Sequence, residues 1–474
     1  MSLASLPESE RRRAFEGLSP KAAAAALYDW RGWWARPEQL PPPGDWVTWV
    51  IKAGRGFGKA LALDTVLPTP GGWTSMASVC VGDRLFDDLG RPCRVTFVSP
   101  VFIGRPCYRV GFSDGAALVA DEEHLWEVES KRFRKAERRR IPESQYRKSP
   151  PTPRLYHREV VSTEGLLEGL LSDGERNWSI PCARPLECQE RELPIDPYAL
   201  GVWLGDGDTQ GGAVTVSDQD SEILDLLVAV GCAARLQSRD RRAPHIGRYV
   251  LDPKPPVRNR LGRMDANGSV QSRLKAMGLC GAKRIPAEYL RASVEQRRSL
   301  MAGLMDTDGS VTPGGHVEFS STSIALAEGL FEVACALGYK PVLWAGRATL
   351  YGKDCGPKYR VTWTPHSQVF SLSRKAGRCH VGKTQSGRNH RRYVVSVDRV
   401  ISVPVQCVSV DSKNGLFLAG RSMIPTHNTR PGAEWVREMA HDHPGCRIAL
   451  GGKMPDDYRA TMVEGDSGIL AISP

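Results

Sequence analysis

A chain of 474 residues is longer than one ordinary hydrophobic core sustains, so two to four domains are expected. Lys and Arg outnumber Asp and Glu by 64 to 53, a formal net charge of +11 that points to a polyanion such as nucleic acid, and no stretch reaches the ~20 apolar residues of a membrane span. The 12 cysteines stand singly, with no C-x-x-C pair, which argues against a zinc site or a disulfide framework and fits reduced thiols in a cytoplasm.

The N-terminus "MSLASLPESERRRAFEGL" lacks the apolar core of a signal peptide. Further on, "WVTWVIKA" reads as a strand, and the glycine loop "GRGFGK" follows it. Gly54, Gly56, Gly58 and Lys59 have the look of a phosphate-binding loop, but a P-loop needs a hydroxyl directly after its lysine to hold Mg²⁺, and here Ala60 stands in that place. After Ala60 come short β-branched runs between turn residues, among them "CRVTFVSPVF", "CYRVGFSDG" and "LVADEEHLW", which predict strands of an all-β unit. A basic stretch, residues 131–148, is read as a linker that clamps a nucleic-acid backbone.

Two glycine- and aspartate-containing segments then recur, "YALGVWLGDGDTQG" from Tyr198 and "SLMAGLMDTDGSV" from Ser299. Each puts small residues on a helical face and ends in Asp-Gly, so two helices can pack closely and carry Asp206 and Asp308 side by side. Paired carboxylates of this kind hold Mg²⁺ against phosphates. Lys283, in "AKRIPAEYL", lies between the two segments, and Lys358 follows the second. A second basic stretch covers residues 373–393, and β-type runs resume in "YVVSVDRVISV" and "VQCVSVDS". The far end reads "SMIPTHNTRPGAEWVREMAHD", whose last part has helical spacing.

Deleting residues 60–428 joins Lys59 to Thr429 and gives "VIKAGRGFGKTRPGAEWVREMA", a repaired P-loop with its hydroxyl at the start of an amphipathic helix. The deleted segment ends in His427-Asn428, and an asparagine amide can attack its own backbone carbonyl and cut the chain while a neighbouring histidine helps with protons. On these residues, segment 60–428 resembles an intein, with "ALALDTVLPTPGGWTSMASVCVGDRLFD", "LVADEEHLW", "VQCVSVDSKNGLFLAG" and "SMIPTHN" matching its sequence blocks. Ala60 has no nucleophilic side chain, but Trp126, Cys407 and Thr429 together resemble the class 3 inteins, in which an internal cysteine replaces the first-residue nucleophile.

That resemblance implies roles. Cys407 attacks the Lys59 carbonyl, His124 protonates the departing Ala60 nitrogen, Thr429 takes the acyl group, and Asn428 cyclises with help from His427. Trp126 is expected beside Cys407, and Asp121 stands where many inteins have Thr. Splicing would need no cofactor. The repeated motifs resemble those of the LAGLIDADG homing endonucleases, which implies Asp206 and Asp308 as Mg²⁺ ligands, Lys283 as a catalytic lysine with Lys358 as the candidate for its symmetry-related partner, and double-stranded DNA as partner, the target being the uninterrupted host gene.

The host residues around "AGRGFGKTR" resemble the large terminase subunit of tailed phages. This implies ATP and Mg²⁺ as cofactors of the spliced host, a small terminase subunit and a portal as its partners, and a phage or prophage gene expressed in a bacterial cytoplasm. The expected architecture is multi-domain: an all-β intein splicing domain interrupted by an α+β pseudo-symmetric endonuclease, flanked by fragments of an α/β P-loop ATPase. The expected boundaries are host 1–59 and 429–474, splicing halves 60–130 and 373–428 (the latter with a basic linker), basic region 131–192, and endonuclease 193–372. The alternative is an unspliced P-loop DNA-binding protein with a permanent nuclease insertion.

Overall fold

The computed structural model describes residues 60–138, 158–253, 268–379, 381 and 389–427. The chain divides into two units, residues 1–54 with 430–474 and residues 55–429, and the described residues belong to the second. Gly54, Gly56, Gly58, Lys59, Asn428, Thr429 and both host segments lie outside the described residues.

The β-branched runs form strands, and the two sequence-distant halves interleave. A six-stranded antiparallel sheet runs in the order Ser179–Pro181, Arg391–Val400, Cys107–Phe112, Ala117–Asp121, Leu61–Ala62, Val405–Gln406. Beside it, Val408–Val410 pairs with Pro92–Val98, and Leu416–Ala419 forms a hairpin with Ile424–His427. Leu67, Leu85, Val110, Trp126, Val394 and Phe417 fill the core between them, so apolar side chains from both halves are buried together. A buried ion pair, Arg392 to Asp114 at 2.6 Å, also joins the halves.

The expected basic linker after residue 130 is in part a piece of this β region. Glu159–Ser162 pairs with Leu125–Val128, and Leu166, Trp178 and Ile180 enter the core. In the Lys131–Arg138 helix, Lys131 and Arg134 are buried. Lys131 pairs with Glu175 at 3.0 Å, and Arg134 donates to the Asn177 and Glu129 carbonyls. These two cations satisfy internal acceptors instead of facing a nucleic-acid backbone, while Arg132 and Lys135 of the same helix are exposed.

The described residues between 197 and 372 form the second region, a repeat of helix followed by antiparallel sheet. The Pro197–Asp206 helix leads to a sheet ordered Ala213–Ser217, Ile246–Pro253, Cys232–Arg239. The Val294–Asp308 helix leads to one ordered Gly309–Val311, Val317–Ser321, Lys353–Trp363, Val342–Leu350. Both helices start at strong caps. Asp196 accepts from the Tyr198 and Ala199 amides with Pro197 in the first turn, and Ser293 forms a capping box with Gln296. The two helices cross where glycine faces glycine: a Cβ on Gly201 would lie 2.3 Å from the Leu300 carbonyl oxygen, and one on Gly303 would lie 2.4 Å from that of Tyr198. The small residues of the repeat therefore do what the sequence suggested, letting two backbones touch.

The two regions share buried surface. Phe86, Leu418 and Met423 of the β region pack with Cys335 and Ala336. Arg291, fully buried, donates to the carbonyls of Thr69 and Gly72 at 2.9 and 2.8 Å, pairs with Glu332 at 2.6 Å, and lies over the Trp73 ring. Among the described residues, no helix is long and apolar enough to cross a membrane.

Candidate functional site

Two sites emerge, one in each region. In the first, the strand beginning at Leu61 lies between Ala117–Asp121 and Val405–Gln406, with Leu61 opposite Ala120 on one side and Gln406 on the other. Antiparallel register brings the residues just beyond, Ala60, Asp121 and Cys407, to one level of the sheet. Ala60 N–H donates to Asp121 Oδ1 at 3.2 Å, and the Asp121 amide donates to the Ala60 carbonyl oxygen at 3.0 Å. Ala60 and Cys407 share a small buried cluster with Cys107 and Val405. The Cys407 backbone is fixed by Ser99: its amide donates to Ser99 Oγ, and its carbonyl oxygen accepts from the Ser99 amide, both at 3.0 Å.

Asp121 opens a turn that ends at His124, whose amide donates back to the Asp121 carbonyl oxygen at 3.2 Å. The His124 imidazole Nε2 shares a hydrogen bond with Thr426 Oγ1 at 2.5 Å. Thr426 and His427 are buried in the last described strand. One four-residue turn therefore touches both ends of segment 60–428. Trp126 packs edge-on against His124, with ring centroids 4.8 Å apart, and its indole N–H donates to Thr163 Oγ1 at 3.0 Å.

Two expectations change here. Trp126 belongs to the main core with Phe112, not to the Cys407 cluster, because the Thr163 hydroxyl anchors its indole nitrogen. The Ala60 nitrogen, assigned from the sequence to His124, is held by Asp121, while the His124 ring is bonded to Thr426. Thr163 had no sequence signal, since it reaches His124 and Trp126 only through the pairing of Glu159–Ser162 with Leu125–Val128.

In the second site the crossed helices end together at Asp206 and Asp308. A Cβ on Gly205 would stand 3.5 Å from Asp308 Oδ2, which places the two acidic ends side by side. Both side chains are exposed at the helix ends, though the protein packed around them partly desolvates their carboxylates. That burial, followed by repulsion from Asp308, pushes Asp206 up to about 6, and burial raises Asp308 as well.

Lys283 Nζ donates to the Gly205 and Gly207 carbonyl oxygens at 2.9 and 2.7 Å, beside Asp206 and over the Trp203 ring. The matching group at the other helix end is Lys375, whose Nζ donates to the carbonyls of Met305, Asp306, Thr307 and Gly309 at 2.6–3.1 Å. Lys358, the partner suggested by sequence, instead sits on a strand opposite Gly346. Lys375 was hidden in the second basic stretch, much of which is structural: Arg374 pairs with Asp220, Arg391 with Glu129, and Arg392 with Asp114.

Two adjacent carboxylates that repel each other form an oxygen donor set suited to a hard divalent cation such as Mg²⁺, which relieves that repulsion. Among the described residues no group of three or more His, Cys, Asp or Glu is placed to hold a metal, so the remaining ligands would be backbone oxygens, water or phosphate.

No protein-family model matches the chain. It is 36% identical over 402 residues to a replicative DNA helicase DnaB of Mycobacterium intracellulare, the match covering 84% of this chain and 63% of the relative. It is 51% identical over 84 residues to the replicative DNA helicase DnaB of Mycobacterium leprae (strain TN), covering 18% of this chain and 14% of the relative. The chain thus spans less than two thirds of the length of either. Similar solved structures include the MchDnaB-1 intein, at 17% identity and a TM-score of 0.24 over 78% of this chain and 100% of that one. Variants of the homing endonuclease I-DmoI match at 14% identity and a TM-score of 0.23 over 40% of this chain and 93% of that one.

Proposed function

We propose that segment 60–428 excises itself and joins Lys59 to Thr429, by the class 3 intein route, with Cys407 in place of a first-residue nucleophile. The observation that carries this reading is the Asp121–His124 turn, which grips Ala60 at one end of the segment and Thr426 at the other. Cys407, packed against Ala60, supplies the sulfur that attacks the Lys59 carbonyl. Thr429 receives the acyl group, and Asn428 cyclises beside the buried His427. His124, bonded to Thr426, orients the departing C-terminal strand. Splicing needs no cofactor. Intact-mass measurement after expression tests this: splicing gives a free 60–428 species and a ligated 1–59/429–474 product, whereas a permanent insertion gives only full-length chain.

The second region is read as a LAGLIDADG homing endonuclease acting on double-stranded DNA. Its support is the glycine-crossed helix pair with Asp206, Asp308, Lys283 and Lys375 at its end. Asp206 and Asp308 would hold Mg²⁺, which supplies charge stabilisation at a scissile phosphate. Lys283 and Lys375 fix the helix ends and place positive charge next to each carboxylate. Incubating the excised segment and Mg²⁺ with plasmids carrying the joined or the interrupted host gene tests this reading, which requires cutting of the joined gene only.

For the host, "AGRGFGKTR" supports an ATP- and Mg²⁺-binding terminase large subunit working with a small subunit and a portal. The shared name of the two curated relatives favours a second reading, a replicative DNA helicase. Assaying the spliced host for DNA packaging or for strand unwinding separates them.

A further inference from the structure

The amide nitrogen that the splicing reaction would release is held by a charged group. Ala60 and Asp121 are both fully buried; Oδ1 accepts the Ala60 N–H at 3.2 Å, and Oδ2 accepts from Arg105 at 2.9 Å. Arg105 is set by stacking over the Phe102 ring at 4.1 Å. A hydroxyl or a carbonyl would hold a neutral amide equally well, and burying a carboxylate is costly. Burial drives Asp121 up to about 6, opposed by the Ala60 amide and by Arg105, so near pH 7 it is mainly anionic. Oδ2 serves Arg105, and Oδ1 faces the Ala60 nitrogen, where a negative charge gains most once that amide has become an amine.

We propose that Asp121 is a positioning residue that captures the new α-ammonium group of Ala60 and so holds the first splicing step forward; this rests on the splicing reading above. In that step the Cys407 sulfur bonds to the Lys59 carbonyl carbon, and the carbon–nitrogen bond to Ala60 breaks with its electron pair remaining on nitrogen. The thiol proton ends on that nitrogen, so an amide and a thiol become a thioester and an amine. An α-amine, with an ordinary pKa of about 8, then takes one further proton from water near neutral pH. Only the neutral amine can attack the thioester and reverse the step. The ammonium forms within contact of Asp121 Oδ1, and their attraction removes the reversing species.

Among the described residues, the charged and titratable groups around this pair include Arg105 and Glu123, the Cys107 and Cys407 thiols, and His124 at the end of the turn. Of these, Arg105 competes directly with the ammonium for the carboxylate.

The test uses the full chain carrying Asn428→Ala and Thr429→Ala, which stops the reaction at the Cys407 thioester. The thioester fraction is read by hydroxylamine release of residues 1–59 and intact mass between pH 6.5 and 10. In the Asp121 parent this fraction should fall only as pH passes the raised pKa of the captured amine. Asp121→Asn keeps the hydrogen-bond acceptor and should cut the thioester fraction about tenfold at pH 7.5, moving the midpoint down by about one pH unit, the equivalent of that factor. Arg105→Gln should move the midpoint up, because Asp121 then has one cation to serve; a purely structural loss would lower the thioester without shifting the midpoint. An unchanged midpoint in both variants overturns the proposal. Absence of thioester in the parent, with no ligated product from the unmodified chain, overturns the splicing reading and the capture with it.

Discussion

Lys283 and Lys375 occupy the same position at the ends of two different helices. Lys283 donates to the carbonyls of Gly205 and Gly207 around Asp206, and Lys375 donates to those of Thr307 and Gly309 around Asp308. Each ammonium meets carbonyls that the helix leaves unpaired at its C-terminus, where positive charge is also favoured by the helix dipole. Burial lowers both lysine pKa values, opposed by the nearby aspartates.

Replacing either lysine with methionine should therefore damage one half of the site more than the other. Under the endonuclease reading, Lys283→Met and Lys375→Met should each slow cutting of one strand by about 100-fold, the scale of losing one positioned electrostatic group. Supercoiled plasmid should then accumulate as nicked circle, measured on agarose gels. Equal loss of cutting on both strands would reject independent half-sites.

The raised pKa values of Asp206 and Asp308 give a sign to the pH dependence. Both carboxylates bind protons more readily in the folded chain than in the unfolded one, so each costs stability as pH rises, and for Asp206 that loss falls between about 4 and about 6. Asp206→Asn removes this cost and should raise Tm at pH 7 but not at pH 4, followed by thermal denaturation in chelator. Metal-dependent cutting should run in the opposite sense, weakening as pH falls below 6, because protonated carboxyls are poor ligands.

Arg291 joins the two regions through a buried guanidinium, and Glu332 balances its charge. Arg291→Ala leaves Glu332 and the Thr69 and Gly72 carbonyls without this donor and should cost about 3 kcal/mol, the usual scale for breaking a buried pair. Urea unfolding would measure the loss, and hydrogen exchange in the Gly72–Ser75 hairpin strand should accelerate.

The glycine crossing gives a steric prediction. A Cβ at Gly303 would meet the Tyr198 carbonyl at 2.4 Å and the Val202 nitrogen at 2.8 Å, both backbone atoms that cannot turn aside. Gly303→Ala should separate the helices, cost about 2 kcal/mol or more, and weaken Mg²⁺ binding at Asp206 and Asp308. Gly314→Ala, whose Cβ would meet nothing closer than 3.6 Å, serves as the tolerant control for calorimetry.

Cys407→Ala removes the sulfur packed against Ala60 without opening a large cavity. Under the splicing reading, ligation and cleavage before Ala60 should both disappear while the unfolding free energy falls by only about 1 kcal/mol. Intact mass reads the first and calorimetry the second. Normal ligation by this variant would remove Cys407 from the mechanism.

The sequence alone determined the features that depend on neighbours along the chain. Alternating β-branched runs made strands, glycine spacing made the helix crossing, and Asp-Gly endings put Asp206 and Asp308 at adjacent helix ends, because strand pleat and helix pitch are local geometry. Only the tertiary structure decided which residues from distant segments meet. Asp121 holds Ala60 because the strand from Leu61 inserts beside Ala117–Asp121, and Thr163 holds Trp126 through a strand from the supposed linker. Lys375, Arg134 and Arg392 looked like part of a basic surface because charge runs carry no periodicity that tells a buried cation from an exposed one. Their roles were set when folding left carbonyls and carboxylates in the interior that required a donor, and these cations were within reach.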